Sequence, residues 1–271
     1  MFRFLCISLL ACIFLSCSAQ DLDVYYAENS EEILDSILVN QTFTSPEDVA
    51  LSLVGMPYKS HSLEVQGKER LVVDLTGFDC VTLVENSLAL YMANGSKASF
   101  LKNLQGLRYR NGEIIGYLSR LHYYTDWILN AEESGILYDV TDRLGGLEYS
   151  PSVFFMSSHP DLYPKLQRLT QIDSLKQREQ ILSNTHLLFI PKQRLTPVAT
   201  GIKNGDVIAI ATNIKGLDFT HVGFALRRNN SLYFLHASSQ HHKVMVSAEP
   251  LSAYLGQHKH MLGIVVLRLN D

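Results

Sequence analysis

An α+β fold, with helices packed on an antiparallel sheet, is predicted by two observations. Helix-start and helix-stop signals dominate the first half of the chain, and the strand signals gather after residue 200 as consecutive runs. No repeat and no low-complexity linker interrupts the 271 residues, so the chain reads as one large domain behind a leader. Hydrophobic content of 46% with 18% charged residues fits an ordinary globular core. The net charge of -4 comes with interspersed signs and no basic stripe, which argues against a nucleic-acid partner.

Residues 1–19 read as a signal peptide. Arg3 gives a short basic start, Phe4 to Leu15 is a nearly unbroken apolar run, and Ser16-Cys17-Ser18-Ala19-Gln20 supplies small residues for cleavage. Cleavage after Ala19 would leave a soluble, exported chain of about 250 residues, with the periplasm as its expected compartment. The alternative is a lipoprotein anchored through Cys17 or Cys12. Leu9-Leu10-Ala11-Cys12 resembles a lipoprotein box but leaves a very short apolar core, and Phe14-Leu15-Ser16-Cys17 is a poorer match. The apolar run is too short to span a bilayer comfortably, and no later stretch approaches its length, so no transmembrane helix is expected in the mature chain.

Within 20–271, Gln20 to Asn40 has a short apolar rhythm and reads as a helix at the domain edge. Ser45-Pro46-Glu47-Asp48 starts another: Ser45 can cap, Pro46 suits the first position, and the two acids favour the positive end of the dipole. Gly55 stops it, and Met56-Pro57-Tyr58 leads into a loop. Cys80 to Ala93 reads as a buried helix with Leu83, Val84, Ser87, Leu88 and Tyr91 on one face, ended by Asn94-Gly95. Cys80 falls in its first turn, on the inward side. Asp161 to Leu182 looks amphipathic and helical. Strands are expected at Gly205–Ala211, Phe219–Leu226, Leu232–Ala237, Val244–Ser247 and Ile264–Leu269.

After the leader the chain keeps one cysteine, Cys80. An exported protein meets an oxidising compartment where cysteines usually pair, so an unpaired one points to a thiol kept for its reactivity; the bland reading is an inert buried side chain. A helix N-terminus and a nearby imidazolium both lower a thiol pKa, from near ~8.5 to roughly 3.5–7.5. The run Thr220-His221-Val222-Gly223-Phe224-Ala225-Leu226 supplies the imidazole, with His221, Gly223 and Ala225 on one strand face and Val222, Phe224 and Leu226 on the other. The small residues beside His221 leave room for a helix end. If Asn229-Asn230 turns the hairpin, Gly223 faces His236 and Ser238 faces His221. His236 then lies diagonal to His221 at about 7–8 Å, within side-chain reach. The set reads as nucleophile (Cys80), base (His221, paired with a thiolate) and orienting group (His236, with Ser238 as understudy). The Cys80 backbone N–H would donate to an oxyanion. Such thiol chemistry fits amide or ester acyl transfer and calls for no cofactor.

Other residues carry competing readings. His241-His242, His258 and His260 are metal-ligand types, but no carboxylate or cysteine joins them at ligand spacing, so solvated loop positions are expected. Glu85 lies away from the Cys80 face, as a surface or helix-pairing residue. Trp127, beside Asp126 and Arg120, is either core or a sugar-stacking wall.

Gly55-Met56-Pro57-Tyr58, Phe78-Asp79-Cys80, His221-Val222-Gly223 and His236-Ala237, in that order, resemble the NlpC/p60 superfamily of papain-like cysteine peptidases and amidases. The resemblance covers residues 45–95 and 200–270, and the roughly 140 residues between Cys80 and His221 exceed the usual core spacing. It therefore implies a papain-like core with an insertion at about 96–200. Asp79-Cys80-Val81-Thr82-Leu83-Val84-Glu85, with Arg120-Leu121-His122-Tyr123 and Asp126-Trp127, resembles its N-acetylmuramoyl-L-alanine amidase-like branch. That likeness implies hydrolysis of the amide joining N-acetylmuramic acid to the first alanine of the peptidoglycan stem peptide, with muropeptide fragments as partners. It also implies Tyr58 beside the nucleophile and an insertion shaping the sugar end of the cleft, where Arg120, Asp126 and Trp127 are the expected contacts. The alternatives are a stem-peptide endopeptidase of the same superfamily, a peptidoglycan-binding module without catalysis, and a zinc amidase resting on the spare histidines.

Overall fold

The structure, a computed structural model, describes residues 22–166 and 169–270. Residues 1–19, read as a signal peptide, and with them Cys6, Cys12 and Cys17, lie outside the described residues. Two strands near the start, β1 (Val24–Tyr26) and β2 (Leu71–Val73), pair in parallel. The remaining strands are β3 (Leu137–Asp139), β4 (Leu147–Tyr149), β5 (Leu187–Pro191), β6 (Val207–Thr212), β7 (Phe219–Arg228), β8 (Ser231–Ser238), β9 (Lys243–Val246) and β10 (Met261–Leu269). They form one antiparallel sheet in the order β4-β5-β10-β6-β7-β8-β9, with β3 also on β10. The five strands expected late in the chain are β6 to β10. The short β1 to β5 were not foreseen, because three to five residues leave too little alternation to read. Three of them tie residues 137–191 into the sheet, so the segment expected as an insertion is woven onto one end of it.

The β7–β8 hairpin has the expected register. It runs from Arg228↔Ser231 to Phe224↔Leu235 across a two-residue turn. Asn229 and Asn230 take φ of 46° and 64°, the left-handed pair whose twist suits a hairpin. The ladder stops at Phe224. Gly223 lies so close to β8 that an added Cβ would stand 2.4 Å from the Leu235 carbonyl oxygen and 3.0 Å from His236 Cβ, so no larger residue fits there.

The helices are α1 (Ser30–Asn40), α2 (Pro46–Ser52), α3 (Cys80–Ala93), α4 (Lys97–Arg108), α5 (Tyr124–Glu133), α6 (Phe155–Ser158), α7 (Leu169–Ser183), α8 (Leu195–Val198) and α9 (Leu251–Gln257). Ser45 caps α2 as expected, accepting from the Asp48 N–H at 3.3 Å. Leu83, Val84 and Leu88 of α3 pack with Val222, Phe224 and Leu226 in the main core. The opposite sheet face carries a second core, Ile208, Ile210, Ala225, Phe234, Ile264 and Val266, covered by Leu251 and Leu255 of α9. The sheet is thus a middle layer. The body of α3 lies on the Val222 side of the sheet.

α3 is buried nearly all round, Thr82 to Leu90, because α2, α4 and β7 all pack on it. Of the two readings of Glu85, helix pairing holds and surface exposure does not. Glu85 is 2% exposed, and its Oε2 accepts from Arg108 Nε of α4 at 2.7 Å, while Arg108 also donates to the Val72 carbonyl. Among the described residues, no helix is long and apolar enough to cross a membrane.

Candidate active site

Cys80 is placed by its own helix start. Asp79 caps α3 through a reciprocal pair: its Oδ1 accepts from the Thr82 N–H at 2.8 Å, and its own N–H donates to Thr82 Oγ1 at 2.9 Å. This box satisfies the Thr82 donor and leaves the N–H groups of Cys80 and Val81 uncapped at the helix start, where they favour the ionised sulfur. Aspartate three residues before a threonine was the sequence signal for this cap, and it went unread.

The N–H of Val222, freed where the β7–β8 ladder ends, is one of the backbone groups that favour the ionised sulfur. Val222 is the chain neighbour of His221. His221 Nε2 in turn lies 2.7 Å from His236 Nδ1, with the two rings nearly perpendicular at 87°. That bond takes up Nε2 and does not engage the other His221 nitrogen, Nδ1. His236 is 3% exposed and stacked on Phe234, centroids 4.8 Å apart. Ser238 serves elsewhere: its Oγ accepts from the His241 N–H in the β8–β9 turn and its backbone pairs with Lys243.

Tyr58 is held beside this site by backbone on both sides. Its N–H donates to the His242 carbonyl, and it bridges Phe78, two residues before Cys80. Pro57 fits here because its missing N–H is not needed: its carbonyl accepts from Phe78. Gly55, at φ 96°, turns the chain so that its N–H meets the Val244 carbonyl. Burial first, then the neighbouring Cys80 and Asp79, push the Tyr58 phenol up to about 12.

Three residues expected at the sugar end are engaged otherwise. Trp127 is 1% exposed and stacked on Tyr124 at 4.7 Å, so its indole has no face for a sugar; the core reading is correct. Arg120 is 6% exposed and donates to Glu64 at 2.5 Å and Glu69 at 2.6 Å, under the Tyr117 ring. Asp126 is gripped by Arg110 and Arg178. Arg120 and Asp126 line a cavity of about 260 Å³ whose walls do not include Cys80, His221 or His236. A larger cleft of about 1,370 Å³, bounded by Glu64, Glu69, Arg70, Tyr117 and Lys165, also lies away from the thiol. Of the spare histidines, His260 Nδ1 bonds Asn213 Oδ1 and His258 packs on Tyr254. Among the described residues, no group of three or more His, Cys, Asp or Glu comes together to hold a metal ion.

The electrostatics revise the expected ion pair. Burial, reinforced by Asp79, pushes the Cys80 thiol up, and the Val222, Cys80 and Val81 N–H groups only partly oppose it. Burial and then His236 push His221 down, so it stays uncharged at neutral pH. Both residues keep part of their surface open to solvent, which lessens the penalty. Both directions favour the uncharged thiol and the uncharged imidazole.

Residues 48–264 match the model of a family described as AmiA-like: N-acetylmuramoyl-L-alanine amidase-like. No curated protein sequence matches. Among solved structures, an N-acetylmuramoyl-L-alanine amidase from Bacteroides uniformis ATCC 8492 is 41% identical. It aligns over 84% of this chain and 98% of its own with a TM-score of 0.80. A Bacteroides fragilis protein carrying a provisional xylanase name is 39% identical, over 82% of this chain and 99% of its own, at a TM-score of 0.78. A Legionella pneumophila protein of family model DUF1460 is 25% identical, over 89% and 96%, at 0.70.

Proposed function

The chain belongs to the N-acetylmuramoyl-L-alanine amidase-like family, and from that premise we propose that it is a thiol amidase cutting the bond between N-acetylmuramic acid and L-alanine in peptidoglycan fragments. The reading rests on one observation above the rest: the His221–His236 bond at 2.7 Å, on the strand that α3, the helix headed by Cys80, packs against. That bond takes up His221 Nε2 and leaves Nδ1 to act as base.

In this reading the Cys80 sulfur attacks the lactyl carbonyl carbon as its proton passes to neutral His221. The oxyanion is met by the uncapped N–H groups of Cys80 and Val81. His221 then protonates the alanine nitrogen, the C–N bond breaks, and the stem peptide leaves. Water, deprotonated by His221, cleaves the remaining thioester, giving the muramoyl carboxylate and restoring the thiol. His236 holds the ring of His221 throughout. A glycosidase reading, which the Bacteroides fragilis name raises, is less well served, because glycoside hydrolysis ordinarily employs two opposed carboxyl groups and the groups gathered here are a thiol and two imidazoles. Export to the periplasm, with cleavage after Ala19, is part of the proposal.

The test is product analysis by mass spectrometry on N-acetylmuramoyl peptides and on the same peptides without sugar. Release of an intact peptide beginning with L-alanine, and no cut in the sugar-free peptides, is expected. Rapid cleavage between amino acids of the sugar-free peptides would instead assign a stem-peptide endopeptidase.

A further inference from the structure

The hydrogen bond between the two imidazoles depends on the orientation of His236, and the His236 ring is surrounded by three others. His221 meets it at 4.8 Å and 87°, Phe234 lies parallel to it at 4.8 Å and 17°, and Tyr254 meets it at 5.5 Å and 63°. His221 and Phe234 belong to the β7–β8 hairpin itself. Tyr254 comes from α9, an element the hairpin does not carry. It also touches Phe234 at 5.6 Å and, on its far side, His258 at 5.0 Å. α9 is anchored under the sheet by Leu251 and Leu255, both fully buried, so Tyr254 is presented from a fixed support.

The tautomers give this contact a role. For His221 to take a proton on Nδ1, its Nε2 must carry hydrogen and donate to His236 Nδ1. His236 must then carry its own hydrogen on Nε2. A ring flip of His236, or the other tautomer, would break that arrangement. Phe234 restrains tilt, since it lies flat against the imidazole; rotation within the imidazole plane is checked only by a group set at an angle to it. Two rings are so set: His221 at 87°, the ring being positioned, and Tyr254 at 63°, which comes from outside the hairpin.

We infer that Tyr254 is a positioning residue for the proposed amidase reaction: its ring, offered by α9, fixes the rotation of His236 and so keeps His221 aimed at the thiol. The role belongs to the aromatic ring, and the hydroxyl is not required for it. The inference rests on the function proposed above.

The experiment compares Tyr254→Phe, Tyr254→Leu and Tyr254→Met with the wild type and Cys80→Ala on one N-acetylmuramoyl peptide, with thermal unfolding of each. Tyr254→Phe should keep kcat within about 3-fold, while Tyr254→Leu and Tyr254→Met should lower kcat about 10- to 100-fold with KM changed by less than about 2-fold. Ring-nitrogen NMR of the wild type should show His236 as the Nε2–H tautomer, and a mixture in Tyr254→Leu. Three outcomes overturn the inference: kcat unchanged in folded Leu and Met variants, a loss confined to KM, or a Phe variant as poor as Leu. If the aliphatic variants do not fold, an Nδ1–H tautomer of His236 in the wild type overturns it alone. An active Cys80→Ala would instead sink the thiol mechanism, which separates the two failures.

Discussion

Two parts of this molecule use polar residues in opposite ways. Around Cys80 the backbone does most of the placing: a capping box, a ladder that ends at Phe224, and a bridge from Tyr58 to Phe78. Residues 97–191 are tied down by buried side-chain pairs, with Arg120 on Glu64 and Glu69, Asp126 between Arg110 and Arg178, and Tyr123 on Glu179 at 2.7 Å. Clusters of aromatic and charged residues therefore mean different things in the two parts. Beside Cys80 the His221–His236 bond takes up one nitrogen of each ring. In the second region buried ion pairs join residues far apart in the chain, and the cluster serves as architecture.

That contrast can be broken by mutation. His221→Ala should lower kcat about 10²- to 10⁴-fold while leaving the unfolding midpoint nearly unchanged, since His221 makes one imidazole contact and keeps part of its surface in solvent. Arg108→Ala should do the reverse. Stranding Glu85 inside α3 should cost about 3–5 kcal/mol in denaturant unfolding, with kcat of the folded fraction retained. Equal loss of activity and stability in both variants would erase the distinction.

Smaller effects sharpen it. Burial depresses His221 below its unfolded value near ~6.5, so the folded state binds fewer protons and stability falls as pH drops through and below that value. Between pH 7 and 5 this should remove about 1–2 kcal/mol, a loss that His221→Gln should lack in paired denaturation curves. A thiolate–imidazolium pair holds the same single proton as a thiol and a neutral imidazole, so the curves test the depressed protonation of the site and not where its proton rests. Smallest of all, Lys165→Ala should leave KM for muropeptide within about 2-fold and cost about 0–1 kcal/mol, because Lys165 only adds to the Arg120–Glu69 pair, at 3.2 Å from Glu69. A large rise in KM would bring that cluster back into the substrate site.

The legibility of the sequence divides along the same line. The extent of α3, the Asn229–Asn230 turn and the pairing of His236 with His221 follow from local rules: caps, left-handed turn residues and period two. Whether Glu85 meets solvent or a neighbouring helix stays open in the sequence, because a helix buried on all sides has no single apolar stripe. Trp127 and Arg120 were read toward a sugar because their partners, Tyr124 apart, lie dozens of residues away: Glu64 and Glu69 are more than fifty positions before Arg120. No spacing rule reports such a pair. Tyr254 was passed over since a lone tyrosine on a seven-residue helix carries no pattern.

The sulfur remains the point on which the account stands. Replacing Cys80 by Ala removes one atom from a helix start whose cap, Asp79 with Thr82, stays intact. The variant should unfold at the wild-type temperature and release stem peptide from an N-acetylmuramoyl peptide at least about 10⁴-fold more slowly. A folded Cys80→Ala protein that cleaves at the wild-type rate would contradict it.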